Sequence, residues 1–131
     1  MKLTVSPLNS VKRYTISEPK GVDIERAIST LVEVGGDIAL APGENERLWA
    51  RTNGRNFVLA IFDGGGDELG SFTAHLQKKI DAVEIPPTIE INGDLWPTDV
   101  VCNDPARVCE ILIYYLGSGN LLERHDWIMW D

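Results

Sequence analysis

Glu46–Asp63 reads ERLWARTNGRNFVLAIFD, and the two halves of this stretch decide the fold. Leu48–Thr52 comes before an Asn53-Gly54 pair and Asn56–Phe62 comes after it, and both flanks read as strand. Asn and Gly tolerate positive φ at both central turn positions, so the pair predicts a type I′ turn joining antiparallel strands. Phe57–Phe62 is apolar throughout. A strand with one wet face alternates, whereas an unbroken apolar run fits a strand covered on both faces. The second arm is therefore expected in the middle of a sheet.

On the N-terminal side, Ile24, Ala27, Ile28, Leu31 and Val32 recur at helical spacing behind Asp23. The pattern predicts a helix over Asp23–Val34, capped by Asp23, favoured by Glu25 in its first turn and stopped by Gly35-Gly36. Asp37–Ala41 reads as a short strand, broken by Pro42–Asn45. Lys2–Ser17 holds two β-prone pieces, Leu3–Val5 and Tyr14–Ile16, separated by Pro7 and Asn9 and expected at a sheet edge. On the C-terminal side, Asp63–Glu68 is an acidic turn and Leu69–Leu76 a returning strand. Gln77–Glu84 fits neither period, and Pro86-Pro87 ends it. Asn92-Gly93-Asp94 predicts a second hairpin between Thr88–Ile91 and Leu95–Val101, with Pro97 placing the latter at an edge. Asp104-Pro105 opens a second helix, which Gly117 and Gly119 stop; it is apolar on most sides and expected to be largely buried. His125–Trp130 reads as a last strand. The sum is one α+β domain over residues 1–131, with an antiparallel sheet of about five to seven strands and two helices.

Twenty acidic against twelve basic residues give a net charge of −8, which argues against nucleic acid or an anionic membrane as partner and suits a basic protein. The two cysteines, Cys102 and Cys109, form neither a disulfide framework nor a zinc-type spacing. The N-terminus lacks the apolar core of a signal peptide, and no apolar run reaches the length of a membrane span, so a cytoplasmic location is expected.

Reaction chemistry is sparse. Gly65-Gly66-Asp67-Glu68-Leu69 resembles the GGDEF signature of diguanylate cyclases, but that family's other nucleotide and metal segments are missing, and the stretch reads as a solvated turn. Asp63, Asp67 and Glu68 lack the alternating oxygen ligands of an EF-hand loop. His75 and His125 stand far apart in the sequence and form no triad pattern. No metal, cofactor or catalytic set is assigned. Of the four tryptophans, Trp49 is expected in the core, while Trp96, between acidic Asp94 and Pro97, is expected to be partly exposed. A tryptophan among acids suits docking on a basic protein surface. The candidate partner-binding residues are accordingly Asp63, Asp67 and Glu68 in one acidic turn and Asp94, Trp96 and Asp99 around the other.

The order of parts over residues 22–130 carries a resemblance. A helix runs into a strand and a hairpin. An acidic turn and a further strand pair follow. Then come Asp104-Pro105-Ala106-Arg107-Val108 through Tyr114-Tyr115-Leu116, Gly117-Ser118-Gly119-Asn120-Leu121, and a strand at Asp126-Trp127. This resembles the Imm-type immunity proteins of bacterial polymorphic-toxin systems, the first family of that series. Where members often carry Pro after the glycine, this chain has Asn120-Leu121-Leu122. The resemblance implies a non-enzymatic protein that binds a cognate toxin domain, often a deaminase or nuclease, and blocks its active site. Two rival readings are a phage-encoded acidic inhibitor of a host defence complex and a small nucleotide- or metal-binding regulator built on the Gly-rich acidic loop.

Overall fold

The hairpin around Asn53-Gly54 forms, with Glu46–Thr52 and Phe57–Asp63 paired antiparallel from Glu46 opposite Asp63 to Thr52 opposite Phe57. The computed structural model describes residues 1–8, 12–65, 67–72, 87–122 and 127–129. Among them the strands are β1 (Lys2–Pro7), β2 (Tyr14–Ser17), β3 (Gly36–Ala41), β4 (Glu46–Thr52), β5 (Phe57–Asp63), β6 (Glu68–Phe72), β7 (Thr88–Ile91), β8 (Asp94–Pro97), β9 (Val101–Cys102) and β10 (Trp127–Met129). The helices are α1 (Gly21–Val34) and α2 (Pro105–Ser118), and a single 3₁₀ turn covers Thr98–Val100.

The main sheet runs β10-β6-β5-β4-β3-β1-β2, all antiparallel, with β9 pairing the start of β5. β7 and β8 form a separate two-stranded hairpin. The chain is an α+β domain, as its patterning predicts. Leu3, Val5, Ile38, Leu40, Leu48, Phe57, Leu59 and Ile61 point to one side of the sheet. They meet Ile24, Ala27, Ile28 and Leu31 of α1 and Val108, Ile111, Leu112 and Tyr115 of α2 in one core. Each large aliphatic side chain buried there contributes about 2 kcal/mol. β5 is buried without a break from Phe57 to Ile61, the two-sided cover its composition calls for.

Several local details differ from the sequence reading. The turn at Asn53 is not a two-residue I′ turn, because the loop spans residues 53–56 between the last ladder pair Thr52–Phe57. Asn53 is spent otherwise: its Oδ1 accepts from the Arg55 and Asn56 amides at 3.0 and 2.9 Å, and its Nδ2 donates to Glu90 O at 3.2 Å. Asn92-Gly93 does make the I′ geometry, with φ of 51° and 93° between the paired Ile91 and Asp94. α1 begins at Gly21 rather than Asp23. Asp23 works from inside the first turn, accepting the Lys20 amide at 2.8 Å in the manner of a capping-box acid. Val32 belongs to the solvent side of that helix. α2 buries one face only: Tyr114 is exposed, while Cys109, Ile113 and Leu116 are half-buried. β1 lies inside the sheet, between β2 and β3, so that of the two N-terminal strands β2 is the one at an edge. Past Pro97 the chain turns through the 3₁₀ segment and rejoins the main sheet as β9, so Leu95–Val101 is not one strand. β6 begins at Glu68 and is described as far as Phe72. Its expected continuation to Leu76, the Gln77–Glu84 stretch, His75, His125 and Trp130 lie outside the described residues.

Two contacts tie the layers together. Tyr115, fully buried on α2, donates its hydroxyl to Glu46 Oε1 at 2.6 Å. Burial, then the Glu46 carboxylate, push the phenol well above its ordinary range. Gly36 holds φ of 134° where a Cβ would run into the backbone of Ser6 and Leu8. Gly36→Ala is therefore expected to lower stability by about 3 kcal/mol or more in urea titration, from strain plus collision. Since the Tyr115 phenol titrates higher in the folded state, the stability it adds is complete below the unfolded tyrosine value near 10 and fades above it. Tyr115→Phe is expected to cost about 1.5 kcal/mol at pH 8 and to flatten the loss of stability above roughly pH 10. Unfolding free energies across that range check both.

Candidate functional site

The side of the sheet away from the helices carries the candidate site. Strand parity sets what it displays, since successive side chains face opposite ways. Three rows cross it, read from the ladder registers. The first is Ser17, Lys2 and Ala41, continued one step beyond the Leu40–Leu48 pair by Arg47 and Phe62. The second is Thr15, Thr4, Ala39, Trp49 and Ala60. The third is Ser6, Asp37, Arg51 and Val58.

The β7–β8 hairpin covers the β5 end of these rows. Val58, Ile91 and Val101 form a small second core, flanked by Trp49, Ile89, Trp96 and Val100. Its tip is sewn down by polar contacts. Asn92 Nδ2 donates to Thr52 O at 2.8 Å, and Arg51 Nη1 reaches Asp94 Oδ2 at 3.3 Å. Arg51 also grips Asp37 with two parallel bonds, Nε to Oδ1 at 2.8 Å and Nη2 to Oδ2 at 2.9 Å, while its guanidinium stands 5.0 Å over the Trp49 ring. Trp49 meets Phe62 edge-on at 5.6 Å and Trp96 at 6.3 Å, and Arg47 lies 5.0 Å over Phe62. The result is a half-buried ribbon of three aromatic rings braced by two arginines. Trp96 Nε1 is buried in it, with no acceptor among the described residues.

Trp49 is thus not in the core. It shares a strand face with Arg47 and Arg51, opposite buried Leu48, Ala50 and Thr52, and the alternation in RLWART already separates the two sets. Arg47, Arg51, Asp37 and Phe62 were not expected in the site; that alternation is the signal that finds the two arginines. Trp96 is partly exposed as expected.

The two acidic turns do not form one patch. Asp94 sits by Arg51, which lies across from Val58, whereas Asp63 is five residues further along β5, roughly 17 Å away at about 3.4 Å per residue. Asp63 folds its carboxylate into its own turn, Oδ1 accepting from the Gly65 and Asp67 amides at 2.9 Å each. Asp67 and Glu68 are exposed beside it, and Asp99 is exposed on the 3₁₀ turn. The aromatic ribbon lies between the two ends.

Beyond the ribbon, the half of the face over β1–β4 is open. A groove of about 800 Å³ is floored by Thr4, Ser6, Ala39 and Ala41 and walled by Trp49 and Arg47. On the helix side, burial and then Glu25 hold the Cys109 thiol in its protonated form, which makes it a weak nucleophile. Among the described residues no helix is long and apolar enough to cross a membrane, and no cluster of His, Cys, Asp or Glu has the makings of a metal site.

No family model matches the chain, and no curated protein sequence matches it. A crystal structure of a hypothetical protein from Neisseria gonorrhoeae superposes with a TM-score of 0.56 at 13% identity, covering 93% of this chain and 89% of that one. That likeness is one of fold.

Arg51→Ala removes the Asp37 pair, the Asp94 contact and the bracing of Trp49 together, and is expected to cost about 2 kcal/mol. Asp94→Asn, at a carboxylate 60% exposed, is expected to cost less than about 0.5 kcal/mol. Urea unfolding of the two variants separates what Arg51 contributes within the sheet, through Asp37 and Trp49, from its contact with the hairpin tip.

Proposed function

We propose that this chain is a toxin-neutralising binding protein of the immunity type, which docks on a basic effector domain and blocks it. The observation that carries the reading is the Trp49–Phe62–Trp96 ribbon, with Asp94 beside Arg51 near one end of it and Glu68, paired with Phe62, at the other. Interfaces draw most of their energy from a few central aromatic and arginine side chains, ringed by polar groups that exclude water and set charge. A standard interface covers about 800 Å² on each side, enough to span the roughly 17 Å between Asp94 and Asp63. In this arrangement Trp96 and Trp49 are the anchors, and Asp67, Glu68, Asp94 and Asp99 meet the basic rim of the partner. Asp63 acts indirectly, by holding the shape of its turn.

The charge of −8 supports a basic partner, because complementary fields accelerate encounter. Domains that act on nucleic acid line their clefts with Lys and Arg for the phosphates. An acidic face with an aromatic centre competes for such a cleft. A deaminase or nuclease toxin is the partner class that the resemblance to Imm-type proteins supplies.

The test is co-expression with the toxin domain encoded beside this gene, together with purification of the tagged chain from its native cells at moderate salt. Protection of the cells and a near-stoichiometric basic toxin fragment in the purified complex are expected. A subunit of a defence complex in its place would move the assignment to a phage-type inhibitor, and absence of protection would remove the immunity reading. Within such a complex, Trp96→Ala is expected to raise Kd by about 30-fold or more. Asp67→Lys with Glu68→Lys is expected to act mainly on the association rate, with an effect that shrinks as salt rises. Surface plasmon resonance at two salt concentrations reads both.

A further inference from the structure

The open groove over β1–β4 has a charge character opposite to that of the protein as a whole. Lys2, Arg13 and Arg47 line it. Among the described residues none of the three has a carboxylate in ion-pair contact, and the guanidinium of Arg47 rests on Phe62. Of the three carboxylates along the groove, Asp37 is neutralised by its two bonds to Arg51, which leaves Glu18 and Glu44. In a chain of net charge −8 this is a local excess of unspent cation. The floor is Ala39, Ala41, Thr4 and Ser6, too short to fill the space above them, and Trp49 closes one wall.

We propose that this groove binds an acidic, extended peptide segment of a protein partner. The inference stands apart from the immunity reading, since it needs only that some partner carry such a segment. The dimensions fix its pattern. Lys2 on β1 and Arg47 on β4 share a row and are two strand spacings apart, roughly 10 Å at about 4.8 Å per spacing. An extended chain covers that distance in about three residues. A segment crossing the strands in the polyproline II conformation, which repeats every three residues at about 3.1 Å per residue, therefore places carboxylates three residues apart on Lys2 and Arg47, with its backbone over the alanine floor and beside Trp49. Arg13 lies across the groove and meets a third acid or a chain carboxylate. A guanidinium takes a carboxylate by two parallel hydrogen bonds, which gives Arg47 and Arg13 orientation as well as charge. A polynucleotide is the weaker fit. Its closely spaced phosphates would also face Glu18, Glu44 and the net charge of the molecule, whereas spaced carboxylates need only three cations.

The probes are three labelled octamers: a peptide with two glutamates three residues apart and alanine or valine between them, the same peptide with lysines for glutamates, and oligothymidine. Fluorescence anisotropy at about 50 mM salt reads binding, where surface charge is only partly screened. Saturable binding of the acidic peptide alone is expected, weakened roughly tenfold or more by Lys2→Glu with Arg47→Glu. Arg26→Glu, a single reversal of the same sign on α1, is expected to leave it within about twofold. Circular dichroism verifies that each variant is folded. No saturable binding of the acidic peptide overturns the proposal. So does oligothymidine binding as tightly, or Arg26→Glu weakening binding as much as the groove variant.

Discussion

Five consecutive buried residues in β5 need two covers, because neighbouring side chains of a strand face opposite ways. Phe57, Leu59 and Ile61 are covered by α1 and α2, which also seal β1, β3 and β4. Val58 is covered by something else, the β7–β8 hairpin and the short β9. This requirement explains why a chain with a sufficient helix-and-sheet core still folds a separate two-stranded piece onto the other side of its sheet. It also explains why the cover is partial. Only β5 demands it, so the face beyond β4 stays open, and the margin between covered and open is where Trp49, Trp96 and Phe62 gather.

The two proposed binding features meet at that margin. Arg51 belongs to both parts: it pairs with Asp37 on the sheet, reaches Asp94 on the hairpin and stands over Trp49 between them. The ribbon and the groove meet at Trp49 and Arg47, yet they differ in sign, with acidic turns flanking one and cations lining the other. A single partner surface with a basic rim and an acidic strand or loop would use both.

The sequence was informative wherever a local rule was also the global one. The unbroken apolar run of β5, the helical spacing of Ile24, Ala27, Ile28 and Leu31, the Asn92-Gly93 turn and the Asp104-Pro105 helix start all carry their cause within a few residues. It misled where a residue's partner is distant. Asn53 looked like a tight-turn residue, but its side chain is committed to its own loop and to Glu90. Asp23 looked like a cap but acts from three positions further in. Trp49 looked like core because large aromatics usually are; the hairpin that makes its setting two-sided is dozens of residues away. The candidate site was legible as a set of residue types, acids with a tryptophan, and not as a place. Nothing in a linear sequence says that Asp63 and Asp94 lie near opposite ends of one strand.

One corner of the molecule is fixed by the absence of side chains. Gly35, Gly36 and Gly54 bring the end of α1, the start of β3 and the β4–β5 loop together backbone to backbone. An added Cβ would press on Thr52 O, on Ser6 and Leu8, and on Val32 O respectively. All three hold positive φ, so neither space nor conformation admits another residue easily. Side chains elsewhere can be exchanged in compensating pairs as a lineage drifts, but a missing side chain has no substitute. Replacing any one of the three would have to push one of these backbone segments away from the others.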